Sequence, residues 1–250
     1  MHIYADLGPQ LTADPLTEQA FVRALQKLKK GKACGPDGIP GEVYYNCEAA
    51  ARELYKLPKS KWKHEYVLPE LVRASFITVY KQKGSVNDPT KYRCIGLLPH
   101  AYKILSLIML ERITNECSAF LSDWQAGFRP ERGCRDNILL LRVLFDQVIK
   151  DDSKLCVTYI DYSAAFDSVS HKFLDRSLAM FRAIYAAAEG TARVRGLNGK
   201  QLYSATFETR RGVIQGDIIS PIFFILALEQ LLRVYDTAPK GVRVGNYLQI

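Results

Sequence analysis

No two of the six cysteines, at 34, 47, 94, 117, 134 and 156, stand as Cys-x-x-Cys, and none has a histidine at zinc-ligand spacing. That leaves them as reduced, buried small hydrophobes of an intracellular protein, nuclear and cytoplasmic, rather than as metal ligands or staples. The first six residues, Met-His-Ile-Tyr-Ala-Asp, lack the basic-then-apolar layout of a secretory signal. The longest apolar run, 222–228, falls far short of the roughly 20 residues that cross a bilayer, so a membrane partner is not expected. The 16 glycines and 11 prolines follow no period, which excludes a collagen-like or repeat-built chain.

What is present belongs to a folded domain. Hydrophobic residues make up 48% of the 250 and charged residues 24%, enough for a sizeable core and too apolar for general disorder. Lys and Arg number 34 against 26 Asp and Glu, a formal charge of +8 that favours a polyanion such as nucleic acid. Patterning predicts a helix from Asp14-Pro15 to near Gly31, a second over 42–57, a strand over 74–80 and a helix over 102–117. Further helices are expected from an Asp136 cap to Ile149, over 170–185 and from Ser220-Pro221. A strand over 155–160 and a hairpin across 193–209 complete one α+β unit.

Four segments carry candidate chemistry. In Tyr159-Ile-Asp161-Tyr-Ser-Ala-Ala-Phe-Asp167, a carboxylate at a strand end precedes small residues that let a substrate approach. Mg²⁺ is bound by one or two carboxylates and keeps other positions for water and phosphate. The plainer alternative is that Asp161 ends a strand and Asp167 caps the next helix. In Arg211-Gly-Val-Ile-Gln-Gly-Asp-Ile-Ile-Ser-Pro221, glycines flank Gln215 just before a helix, exposing backbone N–H groups and an amide to a nucleotide. The alternative there is a turn feeding a core helix. Lys81, Lys83, Lys91 and Arg93 surround one short turn and suit a triphosphate, unless they are simply solvated. Arg129, Arg132 and Arg135 beside Phe128 mix cations with an aromatic, as strand-binding surfaces do, or form a connecting loop.

In this order the segments resemble the reverse transcriptase of a non-LTR (LINE-type) retrotransposon. Gly31-Lys-Ala-Cys-Gly-Pro-Asp-Gly-Ile-Pro40, Tyr80-Lys-Gln-Lys-Gly84, Lys91-Tyr-Arg-Cys-Ile-Gly-Leu-Leu-Pro99, Gln125-Ala-Gly-Phe-Arg129 and the two segments around Asp161 and Gln215 carry the likeness. It implies a right-hand polymerase, with fingers and a partial palm whose antiparallel sheet packs on helices. Residues 1–12 are then a flank, and 13–250 a partial domain without thumb or endonuclease. By the resemblance Asp161 is the catalytic carboxylate and binds two Mg²⁺ ions, one supported by the Tyr162 carbonyl. Lys81 or Lys83, Arg93, Tyr162, Ser163, Phe166, Gln215 and Gly216 would bind the nucleotide, with Phe166 excluding a 2′-hydroxyl. Gly127, Phe128 and Arg129 would touch the template. The implied partners are an RNA template, a DNA primer and deoxynucleoside triphosphates.

Three departures accompany the likeness. Cys34 and Cys94 replace prolines usual in the family, and the stretch over 177–181 is about a dozen residues shorter. The family's aromatic-Ala-Asp-Asp motif is absent, although 241–250 resembles its approach, so the second metal site is expected to be incomplete and the chain inactive alone. The alternative reading is a retroelement-derived remnant that binds nucleic acid without catalysis.

Overall fold

The computed structural model describes residues 16–61, 68–171, 184–186, 188–195, 198–235, 243–244 and 248–249. The 1–12 flank, the Asp14-Pro15 helix start, the 177–181 stretch, most of the helix expected over 170–185 and most of 241–250 lie outside them.

Helix α1 (Glu18–Lys27) begins after Thr17, whose hydroxyl accepts the Ala20 N–H at 3.2 Å. Its Phe21 and Ala24 turn inward, and Arg23 and Lys27 pair with Glu111 at 2.9 and 3.3 Å. The single helix expected over 42–57 is two, α2 (Glu42–Asn46) and α3 (Glu48–Lys61). Cys47 breaks them with an extended backbone (φ −124°, ψ 100°), and its carbonyl accepts the Ala51 N–H to start the second. Helix α4 (Pro69–Val72) then leads into the sheet.

Strand β1 (Ala74–Tyr80) pairs antiparallel with β2 (Tyr92–Leu97), from Ser75↔Leu97 to Tyr80↔Tyr92. On its other side β1 runs parallel to β3 (Glu189–Arg195), from Ala74↔Gly190 to Ile77↔Arg193. β3 also pairs antiparallel with β4 (Gln201–Tyr203) and β5 (Phe207–Glu208), which fulfils the expected hairpin. The sheet is therefore mixed, not antiparallel as expected. More than ninety residues separate β1 from β3, and a long crossover allows the parallel pairing that a tight hairpin forbids.

Between β2 and β3 run α5 (His100–Cys117), α6 (Cys134–Lys150) and the short α7 (Ala165–Ser168). α8 (Ser220–Tyr235) follows β5, and β6 (Arg243–Val244) pairs with β7 (Leu248–Gln249). The core gathers inner faces of α1, α5 and α8 under β1, with Tyr102, Ile104, Ile113, Ile219, Phe223 and Ile225 almost wholly buried. Apolar burial of this kind contributes ~25 cal/mol per Å².

Three further expectations are corrected. α6 starts at Cys134 and its N-cap is Gly133; Asp136 stands three residues on and accepts the Gly133 N–H at 2.9 Å. Residues 155–160 form no ladder with any described residue, and Tyr159 and Ile160 are 78% and 70% exposed. β-branched residues favour an extended backbone, but a strand also needs a neighbour for its N–H and C=O groups. Only Cys117 of the six cysteines is buried, and burial pushes its thiol up to about 12. Cys47, Cys94, Cys134 and Cys156 are exposed.

Candidate active site

The loop from Gly212 to Ser220 is where distant parts of the sequence meet. The Gly212 N–H donates to the Val169 carbonyl at 2.8 Å and the Val213 N–H to the Phe166 carbonyl at 2.9 Å. His171 Nε2 donates to the Gly212 carbonyl at 2.7 Å. From the other side, the Gly96 N–H of β2 donates to the Gln215 carbonyl at 2.7 Å. A Cβ on Gly96 would stand 2.5 Å from Ile214 Cγ2, and one on Gly216 would stand 2.6 Å from the Gly96 carbonyl oxygen. Glycine at both positions is what lets strand and loop touch.

Within the loop, the Asp217 N–H donates to the Ile214 carbonyl at 3.1 Å, and Gly216 has φ +108°. That closes a turn with Gln215 at its corner and glycine where a positive φ is needed. The Gln215 amide Nε2 donates to Asp167 Oδ1 at 3.0 Å. Cys94, on β2, is exposed overall, but partial desolvation first, and then the charge of the same carboxylate, push its thiol up. Phe166 is half-buried, stacked on Phe224 at 4.9 Å and 13°, and met edge-on by Phe128 at 6.1 Å and 80°. Ala164, which precedes α7, and Phe128 hold left-handed backbones (φ +50° and +60°). Such conformations cost non-glycine residues about 1 kcal/mol and mark over-determined sites.

Asp161, Tyr162 and Ser163 are exposed just after the 155–160 stretch, and Asp161 makes no hydrogen bond or ion pair with a described residue. Lys81 Nζ donates to the Thr90 carbonyl at 2.9 Å, and Lys91 lies 3.7 Å from Asp88. Lys83 and Arg93 are exposed and unpaired among the described residues, so these two cations of the turn are free for an anion. Gly127 is half-buried and its carbonyl accepts the Gln125 amide at 3.0 Å. The Arg129 guanidinium is turned onto the end of α5 and the residues after it, donating to the carbonyls of Ser122 at 2.7 Å, Ser118 at 3.4 Å and Leu121 at 3.5 Å. Arg132 is likewise occupied by Asp123 at 3.0 Å.

The structure adds Tyr102, Tyr185, Gly96 and Phe224, which the sequence does not single out, and gives Asp217 a buried place bonded to Tyr102. The glycine inside strand β2 was the one local signal available, since glycine there marks a close backbone approach. Asp217 is 4% exposed, and burial pushes its carboxyl from 3.8 up to about 6, against the pull of the Tyr102 O–H and the Ile219 N–H. A folded value above the unfolded one favours folding while the group is protonated. The contribution is complete below about pH 4 and lost as pH rises through about 6, an effect of about 3 kcal/mol. Asp217→Asn should flatten this part of the profile, read as urea midpoints from about pH 4 to about pH 8. A difference between wild type and variant that does not change with pH would show that the carboxyl titrates normally.

Most of the chain, these segments included, matches a known family. Residues 80–248 match the family model described as reverse transcriptase (RNA-dependent DNA polymerase). The chain is 29% identical over 189 residues, 72% of its length, to the retrovirus-related Pol polyprotein of the type-2 retrotransposable element R2DM of Drosophila melanogaster. It is 26% identical over 223 residues, 86% of its length, to the RNA-directed DNA polymerase of the mobile element jockey of Drosophila funebris. A type-1 R2 element polyprotein of Popillia japonica is 27% identical over 170 residues, 65% of the chain. The matches cover 17%, 24% and 23% of those relatives, so the chain spans less than a quarter of their length.

Proposed function

Because the chain belongs to the reverse transcriptase family, as the reverse transcriptase domain of non-LTR retrotransposon polyproteins, we propose that it contributes fingers and palm to RNA-templated DNA synthesis. In this reading Lys83 and Arg93, with Lys81 beside them, grip the triphosphate of the incoming deoxynucleotide. Gln215, Gly216 and Phe166 line its base and sugar, and Tyr162 and Ser163 border the pocket. Gly127 and Phe128 face the template strand, with Arg129 shaping their loop. The observation that supports this best is the Gln215–Asp167 hydrogen bond, which joins two separate segments within the matched family region.

The family generally uses divalent metals. Asp161 and the Tyr162 carbonyl suit part of one Mg²⁺ shell, which needs few protein ligands. Among the described residues no three His, Cys, Asp or Glu side chains gather to hold a metal. A two-ion centre needs more carboxylate than these residues supply, so Asp161 would serve as one ligand among several.

The 250-residue chain is accordingly expected to bind an RNA template–DNA primer without extending it. Binding should weaken steeply with salt, and Arg93→Glu should lower the log–log salt slope by about one phosphate's worth. Joined to a segment carrying the aromatic-Ala-Asp-Asp motif, the chain should extend the primer with Mg²⁺, and Asp161→Ala should abolish that extension. Extension that survives Asp161→Ala removes Asp161 from the metal site. Salt-sensitive binding with no extension by the joined chain would favour the non-catalytic remnant.

A further inference from the structure

Behind the Gln215 turn lies a buried polar cluster that substrate contact does not explain. Tyr102, on α5, is wholly buried, and its hydroxyl donates to Asp217 Oδ2 at 2.8 Å. Asp217 Oδ1 accepts the Ile219 N–H at 3.3 Å. Tyr185, 5% exposed, takes the Ile214 N–H on its hydroxyl at 3.1 Å and lies 3.3 Å from Ser220 Oγ. Two tyrosines from different parts of the chain therefore hold the entry and the exit of one turn. Asp217 forms no ion pair among the described residues. A carboxylate buried in this way is a poor source of stability, and apolar replacements of buried charges are often neutral or stabilising. What it supplies is direction: its two oxygens accept from fixed donors, one on α5 and one in the loop itself.

We propose that Tyr102 and Asp217 are positioning residues for the Gln215 amide, holding the turn at the angle from which that amide meets Asp167 and an incoming nucleotide. The nucleotide part of this claim rests on the polymerase reading of Gln215; the hold on the turn does not. With the Gln215 carbonyl held by Gly96 and the Ile214 N–H by Tyr185, the remaining freedom of the turn lies at its Asp217 end. Removing the Tyr102 hydroxyl frees that end and leaves the buried ring in place.

The test combines two measurements on the 250-residue chain. In Tyr102→Phe, amide hydrogen exchange over 215–219 should quicken about tenfold or more, as expected for one lost hydrogen bond to a charged group. Binding of a deoxynucleoside triphosphate in the presence of primer–template should weaken about tenfold, in line with a small misplacement of a positioning group. Gln215→Ala should weaken it similarly, and the double variant no further, because one change acts through the other. Unchanged exchange, or losses that multiply, would overturn the proposal. Should Tyr102→Phe not fold, Asp217→Asn, which keeps the shape and an acceptor, is compared with Asp217→Leu. Protection lost only in the leucine variant supports the proposal, and equal protection in both overturns it. A wild-type chain that binds no nucleotide would sink the polymerase reading of Gln215, and exchange alone would then decide whether the turn is held.

Discussion

Gly212→Ala is expected to destabilise the protein by about 3 kcal/mol or more and to abolish nucleotide binding. Gly212 has φ +84°, and an alanine Cβ there would stand 2.8 Å from Asp167 Cα and 3.0 Å from the carbonyl oxygens of Asp167 and Phe166. All three are backbone atoms, which cannot rotate aside as a side chain can. The two segments would have to separate, breaking the bonds from Gly212 to Val169 and from Val213 to Phe166. Gln215 would then be carried away from Asp167. Gly38→Ala is the control. It too has a positive φ, +67°, but its Cβ would meet nothing within 4 Å, so only the backbone strain of about 1 kcal/mol should appear. Urea unfolding of both variants, with nucleotide titration, separates strain from collision. Equal losses at the two positions would show that the close approach at Gly212 is not maintained in solution.

The difference between these glycines also shows what the sequence could reveal. Local chemistry was legible: the β-branched run of β1, the cationic turn after it and the glycine turn before α8, whereas strand β2 (Tyr92–Leu97), interrupted by Gly96, was not expected. Each of the legible features depends on neighbours a few residues away. The contacts that make a site were not legible. That Gly96 must lie against Gln215, or that Tyr102 must reach Asp217, follows from how β2 and α5 pack on a loop more than a hundred residues later. The clusters show the same limit. Arg129 reads as a free cation in sequence, yet its guanidinium is shared among three carbonyls at the end of α5. Arg93 sits in an equally basic context and its side chain is unpaired among the described residues. Residues 155–160 carry a strand's composition, but none of the described residues pairs with them as a neighbouring strand.

The other large effect is expected at Phe166. Its ring is held on two sides, stacked on Phe224 and met edge-on by Phe128, so its position is fixed before any ligand arrives. Aromatic pairs of this geometry add about 0.5–1.5 kcal/mol each beyond the area they bury. A rigid wall beside the sugar would reject a 2′-hydroxyl by collision, while a mobile one would yield to it. Phe166→Val removes most of the ring and keeps a β-branched apolar side chain, and the carbonyl that accepts the Val213 N–H is unchanged. Because Phe166 is only half-buried, the loss of stability should stay near 1–2 kcal/mol, below the range for fully buried Phe→Ala changes. Discrimination against ribonucleotides should fall by about 10–200-fold, the range that one steric contact of this kind supplies. The measurement is single-nucleotide extension by the chain joined to the Asp-Asp segment, comparing each deoxynucleotide with its ribose counterpart. If both nucleotides lose equally, the ring serves packing against Phe224. If neither changes while the variant stays folded, Phe166 does not face the sugar, and another side chain near the Gln215 turn must carry the discrimination.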